Sequence, residues 1–249
     1  MRLLFNKIIL KSNFKYLFTF LFFSFTLIIK AQEPAAARGN LPNYYNQRLN
    51  FGFTLGLNRT NFIIQPASHL EQFDSLKSIQ SKPKLGFNLG IVSELRLQKY
   101  ITLRFVPNLS FAERDLEYFF EGHDTIVKVK SIESTFLNFP LDLKLRSARI
   151  KNFAAYLLGG GGYSIDLASK RKTVNGTDPN EQIVKLKRDD FSYEAGAGVE
   201  FFLEYFKFAI EGKLTMGTKN LLIKDNTIFS NSVDKLNSKI FLISITFEG

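Results

Sequence analysis

LNFGFTLGLN, residues 49–58, is the stretch from which the fold can be read. Leu49, Phe51, Phe53, Leu55 and Leu57 fall at every second position, with Asn50, Gly52, Thr54, Gly56 and Asn58 between them. Successive side chains of a strand point to opposite faces, so this period of two sets an apolar row against a polar one. The pattern recurs at 85–97, 101–111, 137–146, 153–167, 191–201, 206–216 and 241–247. Eight strands are therefore expected, the smallest usual number in a transmembrane barrel.

Half-buried strands of a soluble sandwich alternate too, and the connections separate the two cases. Short links at 98–100, 147–152 and 204–205 take turns with long polar stretches at 59–84, 113–129, 170–190 and 217–237. That sorting predicts an all-β, eight-stranded antiparallel transmembrane β-barrel with short periplasmic turns, long extracellular loops and both termini in the periplasm. Tyr100, Tyr156 and Tyr205 fall at one set of strand ends and Tyr118, Tyr163 and Tyr193 near the other, where interfacial aromatic girdles are expected. Opposite the Leu and Phe rows stand Glu94, Arg96, Arg104, Asp142, Lys144, Arg146, Glu194, Glu200, Glu211 and Lys213. A soluble core would bury such charges at high cost, whereas a barrel facing lipid can pair them inside. Eight strands leave a lumen just wide enough for side chains, so a packed ion-pair network is expected in place of an open channel.

The first residues form a block of their own. Arg2, Lys7, Lys11 and Lys15 precede an uncharged run at 16–29, and IIKAQ follows, which predicts a secretory signal over 1–31 cut after Ala31. The run is shorter than the ~20 residues a spanning helix needs. Residues 32–48 then form a polar periplasmic lead and 49–249 the barrel. The signal holds five of the 33 Lys and Arg and none of the 23 Asp and Glu, so the remainder carries 28 minus 23, or +5. This mild, dispersed excess gives no clustered basic face for nucleic acid. The chain has no cysteine, which excludes a disulfide framework and a lipidated cysteine anchor.

Catalytic chemistry finds little footing. The two histidines, His69 and His123, lie in expected outer loops, and His123–Asp124 has no nucleophile elbow beside it. Isolated histidines without cysteine make a poor metal site. The run Gly159–Gly162 lacks the following Lys-Ser/Thr of a phosphate loop and the spacing of a dinucleotide fingerprint. Strand parity puts Gly160 and Gly162 inside the barrel, where they make room for long charged neighbours, and Gly159 and Gly161 outside. No catalytic, cofactor-binding or metal residue is assigned, and no small-molecule substrate is expected. The remaining candidates are Asn40, Leu41, Pro42, Tyr44 and Tyr45 of the lead, as a partner contact or as a tether or plug of the barrel mouth.

The segments NLPNYYNQRLNFGFTLGLNRTNF, GFNLGIVSELRLQKYITLRFVPNLSF and IESTFLNFPLDLKLRS, the run YSIDLAS and the ending ITFEG resemble the PorT/SprT proteins of Bacteroidota. The resemblance implies an integral outer-membrane component of the type IX secretion system. It also implies support of gliding motility where species glide, with other secretion-system proteins and membrane lipid as partners and no known catalysis. The final aromatic, Phe247, is followed by Glu248 and Gly249, whereas many barrels end on the aromatic itself. Two other function classes compete: a lipid-modifying or proteolytic barrel enzyme using His123 and Asp124, and a passive structural or adhesive barrel.

Overall fold

A computed structural model describes residues 39–68, 76–121, 126–169, 182–225 and 227–249. The expected signal at 1–31 lies outside the described residues, as do His69, His123 and Asp124. Nine strands are present: β1 (Leu49–Pro66), β2 (Leu76–Arg96), β3 (Ile101–Phe105), β4 (Asn108–Phe120), β5 (Ile126–Arg146), β6 (Phe153–Asp166), β7 (Asp189–Phe202), β8 (Lys207–Gly217) and β9 (Val233–Glu248). β3 and β4 are one barrel strand interrupted at Val106–Pro107. Proline has no N–H to give the ladder, yet the register against β2 is the same on both sides of the gap, Ser93↔Phe105 and Gly90↔Asn108. All pairings are antiparallel, and β1 pairs with both β2 and β9, so eight strands close into a ring. Closure leaves no edge in the ring, which is what a sheet in hydrocarbon requires.

The outer surface explains why the ring belongs in lipid. Phe51, Leu57, Leu85, Ile91, Leu141, Leu157, Phe191 and Ile243 are all about half exposed or more. A contiguous belt of this kind is far larger than the apolar patches soluble monomers tolerate. The tight connections between β2 and β3, β5 and β6, and β7 and β8 all lie at one end, together with the chain's last residues. This is the short-turn end, and its opposite is the long-strand end.

Two expectations are corrected. The stretches 59–84 and 113–129 are mostly strand, because β1, β2, β4, β5 and β9 run on past the apolar belt. Their alternation inverts there: outward Arg59, Lys82, Glu117 and Lys239 meet water, while inward Phe62, Leu116 and Leu236 are buried. A polar outward row thus marks the end of the bilayer, not the end of the strand. The tyrosine girdle also shrinks, since Tyr118 and Tyr156 share the inward parity and are 0% and 3% exposed, whereas Tyr100, Tyr193 and Tyr205 face out.

Candidate functional site: a filled lumen closed at both ends

The inward parity of the strands brings the charged side chains of six strands into one layer near the short-turn end. Lys144 on β5 sits 2.7 Å from Glu94 Oε1 on β2 and 2.5 Å from Glu200 Oε1 on β7. Lys207 on β8 reaches Glu94 Oε2 at 3.1 Å, Glu200 Oε1 at 3.0 Å and Glu248 Oε2 on β9 at 2.7 Å. Arg104 on β3 pairs with Glu211 and, at 3.5 Å, with Glu94, while Lys213 joins Glu194 at 2.5 Å and Asp142 at 3.5 Å. Six carboxylates face four cations in this set, so every cation is shared between at least two carboxylates. Tyr156 completes the layer, its hydroxyl donating to Glu211 Oε2 at 2.8 Å with the Lys144 ammonium 4.2 Å from its ring centroid.

The structure therefore places Glu94, Arg104, Asp142, Lys144, Glu194, Glu200, Glu211 and Lys213 together in the lumen, each less than a tenth exposed. Arg96 lies at the rim, half-buried, and its guanidinium donates to the Gln47 carbonyl. Lys207, Glu248 and Tyr156 were missed as members. Parity was the available signal: Lys207 is in step with Glu211 and Lys213, and Glu248 with Ser244 and Thr246. The departure at the chain end thus acquires a role, since Glu248 closes the ionic layer.

The lead folds back into this layer. After the left-handed Leu41, a single 3-10 turn over Tyr44–Asn46 directs Tyr44 into the mouth, where its hydroxyl donates to Glu248 Oε2 at 3.0 Å. The Tyr44 ring packs edge-on against Phe202 at 5.8 Å and lies 4.9 Å from the Lys207 ammonium. Asn40 ties the lead to the wall, its amide donating to the Phe202 carbonyl at 3.1 Å and its N–H to Asn152 Oδ1 at 2.9 Å. Leu41 packs against Tyr44 and Phe202, and Pro42 stays exposed. Tyr44 thus sits in the mouth as a plug, 7% exposed. Replacing Tyr44 with phenylalanine removes a hydrogen bond to a buried carboxylate, and unfolding in urea is expected to show a loss of about 1–2 kcal/mol.

Above the ionic layer, amides and hydroxyls fill the lumen. Asn138 donates to Asn108 Oδ1 at 2.9 Å, and Asn58 donates to Asn88 and to Ser110 Oγ. Arg114 ends this zone, fully buried, with Phe62 and Phe136 at 4.0 and 5.2 Å and the Ser238 hydroxyl at 3.1 Å. Beyond it the interior turns apolar. Phe62, Leu76, Ile79, Leu116 and Tyr118 from the extended strands pack with Val184, Leu186, Leu221, Leu222 and Phe229 from the connections of β7 and β9. Ile79 joins them because the register of β2 on β4 shifts between Pro83 and Phe87. A bridge between Leu186 and Leu222 and a short helix α1 (Ile228–Asn231), capped by Thr227, fold this lid over the long-strand end. Tyr118 pins it, donating to the Phe229 carbonyl at 3.0 Å. At the lid surface Asp225 faces Lys185 at 3.2 Å. Burial alone would raise its pKa, but hydrogen bonds from Ser230, Thr227 and Lys185 outweigh it and hold the carboxyl below its ordinary value.

Among the described residues, tyrosine plug, ionic layer, amide layer and apolar lid succeed one another along the barrel axis. Among the described residues no group of three or more His, Asp or Glu is placed to hold a metal ion. Residues 30–222 match the model of a family described as outer membrane protein beta-barrel domain. The fold is similar to that of Neisserial surface protein A, at 10% identity over 79% of this chain and 95% of the other, with a TM-score of 0.41. It is also similar to OprG of Pseudomonas aeruginosa, at 12% identity over 81% and 94% with a TM-score of 0.40. AlkL, determined in lipid bilayers, shows 12% identity over 87% and 94% with a TM-score of 0.43. No curated protein matches the chain in sequence.

Proposed function

The chain belongs to the outer membrane protein beta-barrel domain family, and from that premise we propose that this integral outer-membrane barrel is a closed scaffold of the type IX secretion system. It acts through contacts with other secretion-system proteins and not by conduction or catalysis. The lumen carries this reading: its ionic groups are engaged with one another, and both ends are covered by the protein's own residues. What remains for function is surface. The resemblance of the 40–62, 86–111 and 132–147 segments to PorT/SprT proteins supports the secretion role, and gliding motility would depend on it in species that glide. In this reading the short-turn end and the termini face the periplasm, and the long-strand end faces outward.

Two measurements test it. Deleting the gene should leave proteins bearing the C-terminal sorting domain inside the cell, and unimpaired export in the deletion strain would reject the secretion role in favour of a passive or adhesive barrel. Purified barrel in a planar bilayer should give no stable conductance steps. A steady open level would reject the closed scaffold.

A further inference from the structure

Just beyond the apolar belt, the outward cations of the barrel fall into two groups. On the β2–β4 wall each meets a carboxylate: Lys77 lies 2.6 Å from Glu121, Lys82 3.2 Å from Glu117, and Lys84 3.0 Å from Asp115. On the β9–β1 wall the pattern is different. Arg59 and Lys239 are exposed and stand one rung apart on paired strands, by the register Arg59↔Phe241 and Asn61↔Lys239. Neither has an ion-pair partner among the described residues. Directly below them Leu57 and Phe241 are 65% and 48% exposed to the bilayer. Lys219, beyond the end of β8, adds a flanking cation that also acts on Asp190, its ammonium 4.4 Å from the ring of the exposed Phe191 on β7.

Arg59 and Lys239, unpaired cations on long apolar stems one step above the exposed Leu57 and Phe241, are what a lipid with a phosphorylated headgroup would meet. Arg supplies a fork matched to phosphate oxygens, and Lys adds a point charge. We propose that Arg59 and Lys239, with Lys219 at the flank, form a binding site for the phosphates of an outer-leaflet glycolipid whose chains lie on Leu57 and Phe241. The outer-leaflet assignment rests on the orientation proposed above. The paired β2–β4 wall is the internal control, because its cations are already neutralised.

The test is native mass spectrometry of the whole detergent-solubilised barrel with diphosphorylated lipid A or its dephosphorylated form. Wild type should retain the phosphorylated lipid at least about fivefold better, and the double variant Arg59→Gln/Lys239→Gln should lose that preference while keeping its heat-dependent gel shift. Lys77→Gln/Lys82→Gln should bind as wild type. Equal retention of both lipids by wild type, or an unchanged preference in the Arg59→Gln/Lys239→Gln protein, would overturn the site. Orientation is read separately by labelling Gln80→Cys in intact cells with an impermeant maleimide. Labelling supports the outer leaflet, and protection of that cysteine overturns the glycolipid assignment even where phosphate binding in detergent persists.

Discussion

Substituting Lys207 by methionine is expected to remove most of the folded barrel, at a cost of about 3–5 kcal/mol against a total stability of typically 5–15 kcal/mol. Lys207 is the cation to which Glu94, Glu200 and Glu248 all turn, and it is 1% exposed. Its loss leaves Glu248 with no cation within ion-pair reach among the described residues, and Glu94 and Glu200 with Lys144 still in common. A buried carboxylate without compensation is the expensive product, not the missing attraction itself. Glu200→Gln should therefore be much milder, because both lysines keep another carboxylate. Adding Glu248→Gln to Lys207→Met should restore part of the loss, as coupled neighbours do not add. Urea titration of the gel-shifted form would measure all four proteins. A Lys207→Met barrel within 1 kcal/mol of wild type would sink the claim that shared cations hold the lumen together.

Gly160→Leu is expected to prevent assembly, while Gly159→Leu, one residue away, should leave barrel levels unchanged. A Cβ at Gly160 would run into the Leu141 carbonyl oxygen and Asp142 Oδ1, because this glycine pairs with Asp142 on β5 and Glu194 on β7 in the crowded ionic layer. Backbone cannot yield as a side-chain tip can, and forced overpacking of this kind costs about 3 kcal/mol. At Gly159 the nearest atom to an added Cβ is Glu194 O at 3.7 Å, an ordinary contact, and the side chain would extend into lipid. Gly160 and Gly159 thus have opposite tolerance, while at Gly161 and Gly162 an added Cβ would meet its nearest neighbour at 3.2 Å. The comparison is made by quantifying heat-modifiable barrel in outer-membrane fractions. Equal amounts of both variants would falsify a crowded lumen at Gly160.

Much of this protein was legible from parity alone. A row such as Leu49, Phe51, Phe53, Leu55 and Leu57 fixes a strand with one apolar and one polar face, and the sorting of short and long links with the charges of the polar rows turns the apolar face outward, so the eight strands and the inward charges follow. Parity also carries the inward position of Tyr118, Tyr156, Lys207 and Glu248, each near the end of its strand. The strand extensions past Arg59 and Glu113 were not legible in the same way. A polar outward row looks like loop when lipid is the assumed surroundings, and only the inward burial of Phe62 and Leu116 shows that the sheet continues into water.

What the linear sequence determined is the local alternation, and with it which face of each strand each side chain occupies. What only the tertiary structure decided is who meets whom. Lys144 and Glu94 are 50 residues apart and Tyr44 and Glu248 are 204 apart, so their meeting depends on register, ring closure and the return of the lead, none of which leaves a periodic trace. Alternation is a property of one strand and its surroundings, whereas a plug, a shared lysine or a lid is a property of the closed ring that brings distant strands within 3 Å of one another.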